Sequence, residues 1–488
     1  MSKQEFVGHT KQLAEFAIGA RYENLPGEVV RECKRMLIDS LGCALGALDT
    51  ESGRIGLAFA DVVGGAPSAT IVGTGRRTSP MMAAYANARL GGVLDADDTF
   101  PSLGHFGNTT AFTALATAEH YDRTGRDLIT SIAVGFDLGA RLCNAIGLPF
   151  KIEGGKVVGY TDRGGGSVSQ AWAAIGAAAS SARLSAQQTE HAFGIAGVNT
   201  PLPTLSEWAG LVDLPMMKVA DPGWVSQMGI AAILLASLGS TGYSELLDRD
   251  VGFWRFFGGD RLDRDALLGG LGKDWLILDT TYKAWPSCRW IHYPLTALEN
   301  LLLEHKISAE EIEKVIVRAN PFSVSRRFHV QQPTTVINAQ FSYAHSFAML
   351  ALNIPVGPAW YWEENMASNR VRAFRERVEV IPEPLAADLA RWVERGQFRR
   401  LPGGVDVHAR GRVFSETIDN ARGDPWRTET LLTDRQLTEK FFGMVAPAGS
   451  KNEAHRRQLG ERILDTVERL EEVTDLGEFL ELLDLNSI

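Results

Sequence analysis

Three stretches of this chain, residues 110–118, 171–182 and 229–239, are rich in Ala and Gly over the length of a helix. Side chains this small let helix axes approach closely, and a helix that is apolar all round belongs inside a large fold. The sequence therefore predicts a tightly packed, mostly buried helical bundle reaching to about residue 260. A further helix opens at Leu25-Pro26, with proline tolerated in the first turn; Val29, Val30, Cys33, Met36, Leu37 and Leu41 then recur at helical spacing. At 488 residues the chain is too long for one ordinary core, so two domains are expected.

The pattern changes after Asp279. Residues 314–319 (KVIVRA) and 378–381 are β-branched runs, and 405–409 alternates apolar and polar, so these read as strands. Residues 339–352 and 385–394 between them read as helices. After Asp424-Pro425 the chain turns helical again, over 437–444 and 461–483. The predicted fold is mostly α: a large all-helical domain (1–278 and 425–488) with a smaller α+β domain (279–424) inserted.

Charge and cysteine usage narrow the partners. Lys and Arg number 49 against 59 Asp and Glu, a formal charge of −10. With no basic run to override that field locally, nucleic acid is not an expected partner. Cys33, Cys43, Cys143 and Cys288 form no CxxC pair and no disulfide framework, and the polar start lacks a signal-peptide pattern. The cytoplasm is the expected compartment. No apolar run is seen to reach the ~20 residues a membrane span needs.

The densest polar cluster is Leu94-Asp95-Ala96-Asp97-Asp98-Thr99, followed by His105 and Asn108. Carboxylates and a histidine this close are costly to bury without partners. Three readings stand: an exposed acidic loop, a metal site, or an acid/base and substrate-orienting site. The metal reading fails the EF-hand pattern, with no following Gly and Glu, and no second histidine is near.

The second cluster is Tyr282-Lys283-Ala284-Trp285-Pro286-Ser287-Cys288-Arg289-Trp290-Ile291-His292. A lysine among aromatics can have its charged form disfavoured, which suits a proton carrier near neutral pH. Arg289 offers a bidentate fork to a carboxylate, and His292 is another titrating group. The plain alternative is a domain-junction segment with solvated charges. Lys218, before Asp221-Pro222-Gly223-Trp224, is uninformative alone. The Gly164-Gly165-Gly166-Ser167 run is either an anion cradle or a connector. Gly269-Gly270-Leu271-Gly272-Lys273 is not a phosphate loop, because Asp274 follows the lysine and Leu267 stands at the first glycine position.

In this order and spacing the segments resemble the MmgE/PrpD family, from about Leu13 to Met444. The resemblance is carried by Leu25-Pro26-Gly27-Glu28-Val29, Leu37-Ile38-Asp39-Ser40-Leu41-Gly42, the Leu94–Thr99 motif with His105, and Lys218 with Pro222-Gly223-Trp224. It continues through Gly239-Ser240-Thr241-Gly242, Lys283, Trp285-Pro286-Ser287-Cys288-Arg289, His292 and Phe341-Ser342. It implies a helical domain with a smaller α+β domain, a homodimer, no metal or organic cofactor, and an active site between the domains. Position by position, Asp95, Thr99, His105, Lys218 and Lys283 match polar residues of the decarboxylating members. The chain departs from the family pattern in four places. Gly164-Gly165-Gly166 replaces a histidine before the helix near Ser167, and Asp221 replaces one after Lys218. His345 stands for a tyrosine beyond Phe341-Ser342, and Phe106 for a proline.

The chemistry such members share is a carbanion or enediolate beside a carboxylate, which needs positive groups where charge develops. The resemblance thus implies proton transfers by Lys283 and His105, with Asp95 orienting His105 or binding a hydroxyl. Tyr160 and His345 stand as substitute catalytic groups; Thr99, Lys218, Arg289 and His292 bind substrate. The expected activity is a cofactor-independent lyase, dehydratase or decarboxylase, on a small di- or tricarboxylate. An epimerase of an iminodisuccinate-like dicarboxylate is the alternative, and a family-fold protein that only binds a ligand is another. Asp95-x-Asp97-Asp98 also matches the acid motif of some terpene-type cyclases, but a pocket with two lysines suits a hydrocarbon poorly.

Overall fold

The computed structural model describes residues 8–101, 104–148, 150–153, 156–160, 166–201, 210–217, 221–249, 254–255, 262–394, 397–450 and 452–485, with backbone alone at 150–153, 156–160 and 166–168. Helices α1 (His9–Gly19), α2 (Gly27–Ala47), α3 (Glu51–Val63), α4 (Pro80–Val93), α5 (Gly107–His120), α6 (Gly125–Ile146), α7 (Gly166–Ala182), α8 (Ala186–Asn199) and α9 (Pro222–Ser237) build the N-terminal unit. All three Ala/Gly stretches fall within or at the end of these helices. The extensive contact between α6 and α7 shows what the small residues do. A Cβ at Gly135 would lie 2.7 Å from the Ala173 carbonyl, and one at Gly139 2.8 Å from the Ala173 methyl. Any larger side chain would force the axes apart and lose the dispersion contacts between them.

α6 revises one expectation. By length and composition it is apolar enough to cross a bilayer, but 94% of its most apolar window is buried inside the bundle. Its apolarity comes from a helix surrounded on all sides by other helices. Asp137 and Arg141 pair within it, and Arg141 also donates to the carbonyls of Gly269 (2.7 Å) and Asp274 (2.8 Å). The glycine run that superficially suggests a phosphate loop is thus a turn docked on a buried arginine.

Two short antiparallel hairpins, β1 (Ala69–Ile71) with β2 (Arg76–Thr78) and β3 (Phe150–Glu153) with β4 (Lys156–Tyr160), also occur in the N-terminal unit. The α+β unit holds a four-stranded sheet in the order β6 (Val378–Pro382), β5 (Ile312–Ala319), β7 (Gly403–Ala409), β8 (Arg412–Ile418). β5 and β6 are parallel and the other pairs antiparallel, with Val315 opposite both Val378 and Val407. Val315, Val317, Val405 and Val407 are fully buried, and α10 (His292–His305) packs on β7 and β8.

Helix boundaries moved where side chains compete with the backbone. Residues 339–352 break at Phe341-Ser342, because the Ser342 hydroxyl accepts the His345 N–H (3.1 Å) and so starts a new helix, α11 (Tyr343–Ala351). Residues 385–394 form only single turns, Pro384–Ala386 and Leu389–Trp392, which bury Ala386 and Leu389 while Leu385 is 63% exposed. The C-terminal segment holds α12 (Asp434–Val445) and α13 (Glu453–Glu468), then breaks into short turns. α12 returns to the N-terminal unit and packs along α2.

Candidate active site

The chain leaves α4 and turns at Asp95, whose φ of 52° is left-handed. That conformation costs a non-glycine residue about 1–3 kcal/mol and persists only where neighbours hold it. Further on, the Thr99 N–H donates to the Thr281 carbonyl (2.8 Å) and the Thr281 N–H to Thr99 (2.9 Å), an isolated antiparallel bridge. Antiparallel pairing sets a residue two steps before Thr99 against one two steps after Thr281. Lys283 is thereby delivered to Asp97 and Asp95.

Lys283 is fully buried. Its Nζ donates to the Asp95 carbonyl (3.0 Å), pairs with the Asp95 carboxylate, and lies 3.6 Å from Asp97 Oδ1. Burial disfavours its charge, but the Asp95 and Asp97 carboxylates outweigh burial and raise its pKa above the ordinary lysine value. This corrects the expectation drawn from the flanking aromatics. Tyr282 turns its hydroxyl away, to Glu32 (2.6 Å), and two carboxylates surround the ammonium instead. Lys283 is a fixed cation near neutral pH.

Asp98 caps α5, its carboxylate accepting the N–H of Gly107 (2.8 Å) and of Phe106 (3.3 Å). Burial, with Asp97 and Asp39 nearby, pushes its pKa up from 3.8 to about 8. The Asp98 carbonyl accepts from His105 Nδ1 (2.8 Å), so a neutral His105 carries its lone pair on Nε2. The His105 side chain is 33% exposed, with Asp97 3.8 Å from Nδ1.

The raised Asp98 pKa has a consequence for stability. The unfolded chain gives up this proton near pH 3.8 and the fold keeps it to about pH 8, so the contribution is full below 3.8 and is lost as pH rises through that window. Asp98→Asn keeps one acceptor for the cap and removes the titration. Between pH 5 and 8 the melting-temperature gap between variant and parent should shift steadily in the variant's favour. A gap independent of pH would show that Asp98 does not titrate there.

On the other side of Lys283, Arg289 Nη2 pairs with the buried Asp424, which also accepts from Thr281 Oγ1 (3.0 Å) and the Ala421 N–H (2.7 Å). Half of the guanidinium fork is therefore committed to the protein. Arg289 Nη1 is buried without a hydrogen-bond partner, as are Thr99 Oγ1 and His292 Nδ1, among the described residues. Burial, together with Arg289 and Lys283, drives the His292 pKa well down, so its ring is neutral, and Nε2 lies 3.3 Å from the Ser287 carbonyl.

Asp95, Thr99, His105 and Lys283 are thus brought together, with Arg289 and His292 beside them. His345 is not presented in the same way. Its Nδ1 accepts from Arg375 (2.6 Å), its Nε2 donates to the Trp360 carbonyl (2.9 Å), and its ring stacks on Tyr361. Burial and Arg375 lower its pKa to about 3. Both of its ring nitrogens are thus committed to partners within the protein. Asp221 caps α9 and pairs with Arg89. Lys218 and Gly164 lie outside the described residues, as does the Tyr160 side chain. Residues the sequence did not flag are Asp424, Tyr361, which donates to the Pro286 carbonyl, and a buried pair, Asp39 with Lys440. Among the described residues no three His, Cys, Asp or Glu side chains gather in a way that could hold a metal ion.

The site is built from a loop of carboxylates closed over a lysine from a distant segment of the chain. The MmgE/PrpD N-terminal domain matches residues 11–264 and the MmgE/PrpD C-terminal domain residues 285–466, so the chain belongs to the MmgE/PrpD family. Among curated relatives it is similar to cis-aconitate decarboxylase of Aspergillus terreus, 24% identical over 98% of this chain and 96% of the relative. It is also similar to the cis-aconitate decarboxylases of Homo sapiens (24% identical; 88% and 86% covered) and Mus musculus (22%; 97% and 93%).

Proposed function

We propose that this protein is a cofactor-independent lyase that dehydrates or decarboxylates a small di- or tricarboxylate through proton transfer at a carbon beside a carboxylate. The observation that carries this reading is the Lys283 ammonium, fully buried and held charged by Asp95 and Asp97, close to the partly exposed His105 imidazole. Negative charge developing on an enediolate is stabilised by a preorganised cation in a water-poor site. Arg289 Nη1 and Thr99 Oγ1 are donors still to be satisfied, and a substrate carboxylate would satisfy them. The name of the A. terreus relative points the same way, since cis-aconitate is a tricarboxylate.

In decarboxylation the bond to the departing carboxylate breaks, and its electron pair passes into the neighbouring carboxylate as an enediolate. His105, in its imidazolium form, then gives its Nε2 proton to that carbon and is left neutral. In dehydration His105 Nε2 takes the proton beside the carboxylate and hands it to the departing hydroxyl, which leaves as water. Lys283 holds the developing charge in both and keeps its proton throughout.

Chelator-treated protein should be assayed in heavy water against a panel of di- and tricarboxylates. The expected result is turnover with deuterium placed at a carbon beside a carboxylate, in the product for decarboxylation or in recovered substrate for reversible dehydration. Exchange with inversion, and no loss of carbon dioxide or water, would make the protein an epimerase. Stabilisation by a carboxylate with no exchange and no turnover would make it a binding protein. Activity lost to the chelator and restored by one divalent ion would overturn cofactor independence.

A further inference from the structure

The carbonyls of two consecutive residues in the site loop are each held by a lysine, and the two lysines come from segments far apart in the sequence. Lys283 Nζ donates to the Asp95 carbonyl at 3.0 Å. Lys440 Nζ, from α12 near the far end of the chain, donates to the Ala96 carbonyl at 2.6 Å. Lys440 also pairs with Asp39 of α2 at 2.5 Å, and all these residues are buried. Asp97 follows immediately, and both ammonium groups act on its carboxylate, Lys283 from 3.6 Å.

A backbone turn that places Asp95 at φ 52° needs something to keep it there. Lys283 holds the Asp95 carboxylate and carbonyl, but those contacts do not reach the following peptide, between Ala96 and Asp97, through which the strain could be released. A second grip on the Ala96 carbonyl removes that freedom. The α2–α12 packing gives the grip its rigidity. A Cβ at Gly42 would lie 3.1 Å from Phe441, and one at Gly46 3.0 Å from the Met444 carbonyl, so the two helices lie almost in backbone contact over the turn that follows Lys440.

We infer that Lys440, backed by Asp39, is a positioning residue of the active site: it fixes the Ala96 peptide so that Asp95 and Asp97 hold the Lys283 ammonium where the substrate meets it. It need not touch substrate. Helix α12 thereby takes part in a site whose other residues lie far from it in sequence, and the kinetic consequence rests on the lyase reading above.

Removing Lys440 alone would leave Asp39 buried without its cation, a change expected to destabilise by itself. The informative variant is therefore the charge-balanced Lys440→Met/Asp39→Asn. It should fold with a melting temperature near the parent's, lose at least ~10-fold in kcat, and hold KM within about threefold, because Arg289 and Thr99 are untouched. Its crystal structure should show Asp95 relaxed out of the left-handed region. Should that variant fail to fold, Lys440→Arg carries the test. It keeps the charge, but a planar fork does not replace an ammonium held between Asp39 and the Ala96 carbonyl, so kcat should fall with KM held. Parent-like kcat in the folded variant overturns the inference. If the parent turns over nothing in the carboxylate panel, the lyase reading fails separately, and the conformation of Asp95 in the variant then decides: unchanged refutes the role of Lys440, relaxed supports it.

Discussion

Lys283→Met should lower turnover at least ~10²-fold. Methionine keeps much of the aliphatic stem but removes the ammonium that would meet the developing enediolate. The structure adds a second effect. Asp95 and Asp97 are buried with Lys283 as their nearest cation, so breaking the pair should cost about 3–5 kcal/mol of stability. Loss of activity in the single variant would therefore confound chemistry with folding. Lys283→Met/Asp95→Asn separates them, because it removes one charge of each sign. That double variant should recover most of the lost melting temperature and none of the turnover. If it worked near the parental rate, Lys283 would have no part in the chemistry.

What the sequence made legible follows from where the information lies. Ala- and Gly-rich helices are legible because small side chains at every position leave one solution, close packing such as that of Gly135 and Gly139 on α7. Strands β5, β6 and β7 are legible because Val315, Val317, Val378, Val405 and Val407 sit on buried positions and write β-branched residues into the chain. β8 was missed because it is a largely exposed edge strand, and its sequence, RVFSETI, has no apolar face to read. The break at Ser342 was missed because it depends on one hydroxyl choosing the His345 N–H, a choice that apolar spacing does not record.

The site divides in the same way. Asp95, Thr99, His105 and Lys283 stand in compact motifs and were readable as a set. Their partners were not. Asp424 and Lys440 lie far along the chain from Arg289 and Asp39, and only the folded backbone brings them together. The charge state of Lys283 shows the cost of that gap. Flanking aromatics pointed to a lysine with its charge disfavoured, whereas the carboxylates across the Thr99–Thr281 bridge do the opposite. In the proposed reaction proton abstraction would therefore fall to the imidazole and electrostatic stabilisation to the ammonium, a division of labour that tertiary contacts decide.

That division makes His105→Asn the second large effect, with turnover expected to fall ~10²–10⁴-fold. Asparagine suits the test because its side-chain N–H₂ can take the place of Nδ1–H and keep the hydrogen bond to the Asp98 carbonyl. The loop should stay closed and the melting temperature close to the parent's, while the basic Nε2 is gone. Deuterium exchange beside the carboxylate should fall in step with turnover, since both need the same proton carrier. The imidazole side chain is 33% exposed, so the space it vacates communicates with solvent. Added imidazole should then restore part of the rate to His105→Gly, and should do nothing for Lys283→Met/Asp95→Asn, where the missing group is a buried cation. A His105→Asn protein that keeps turnover within about threefold of the parent would take His105 out of the mechanism and leave the proton to another group.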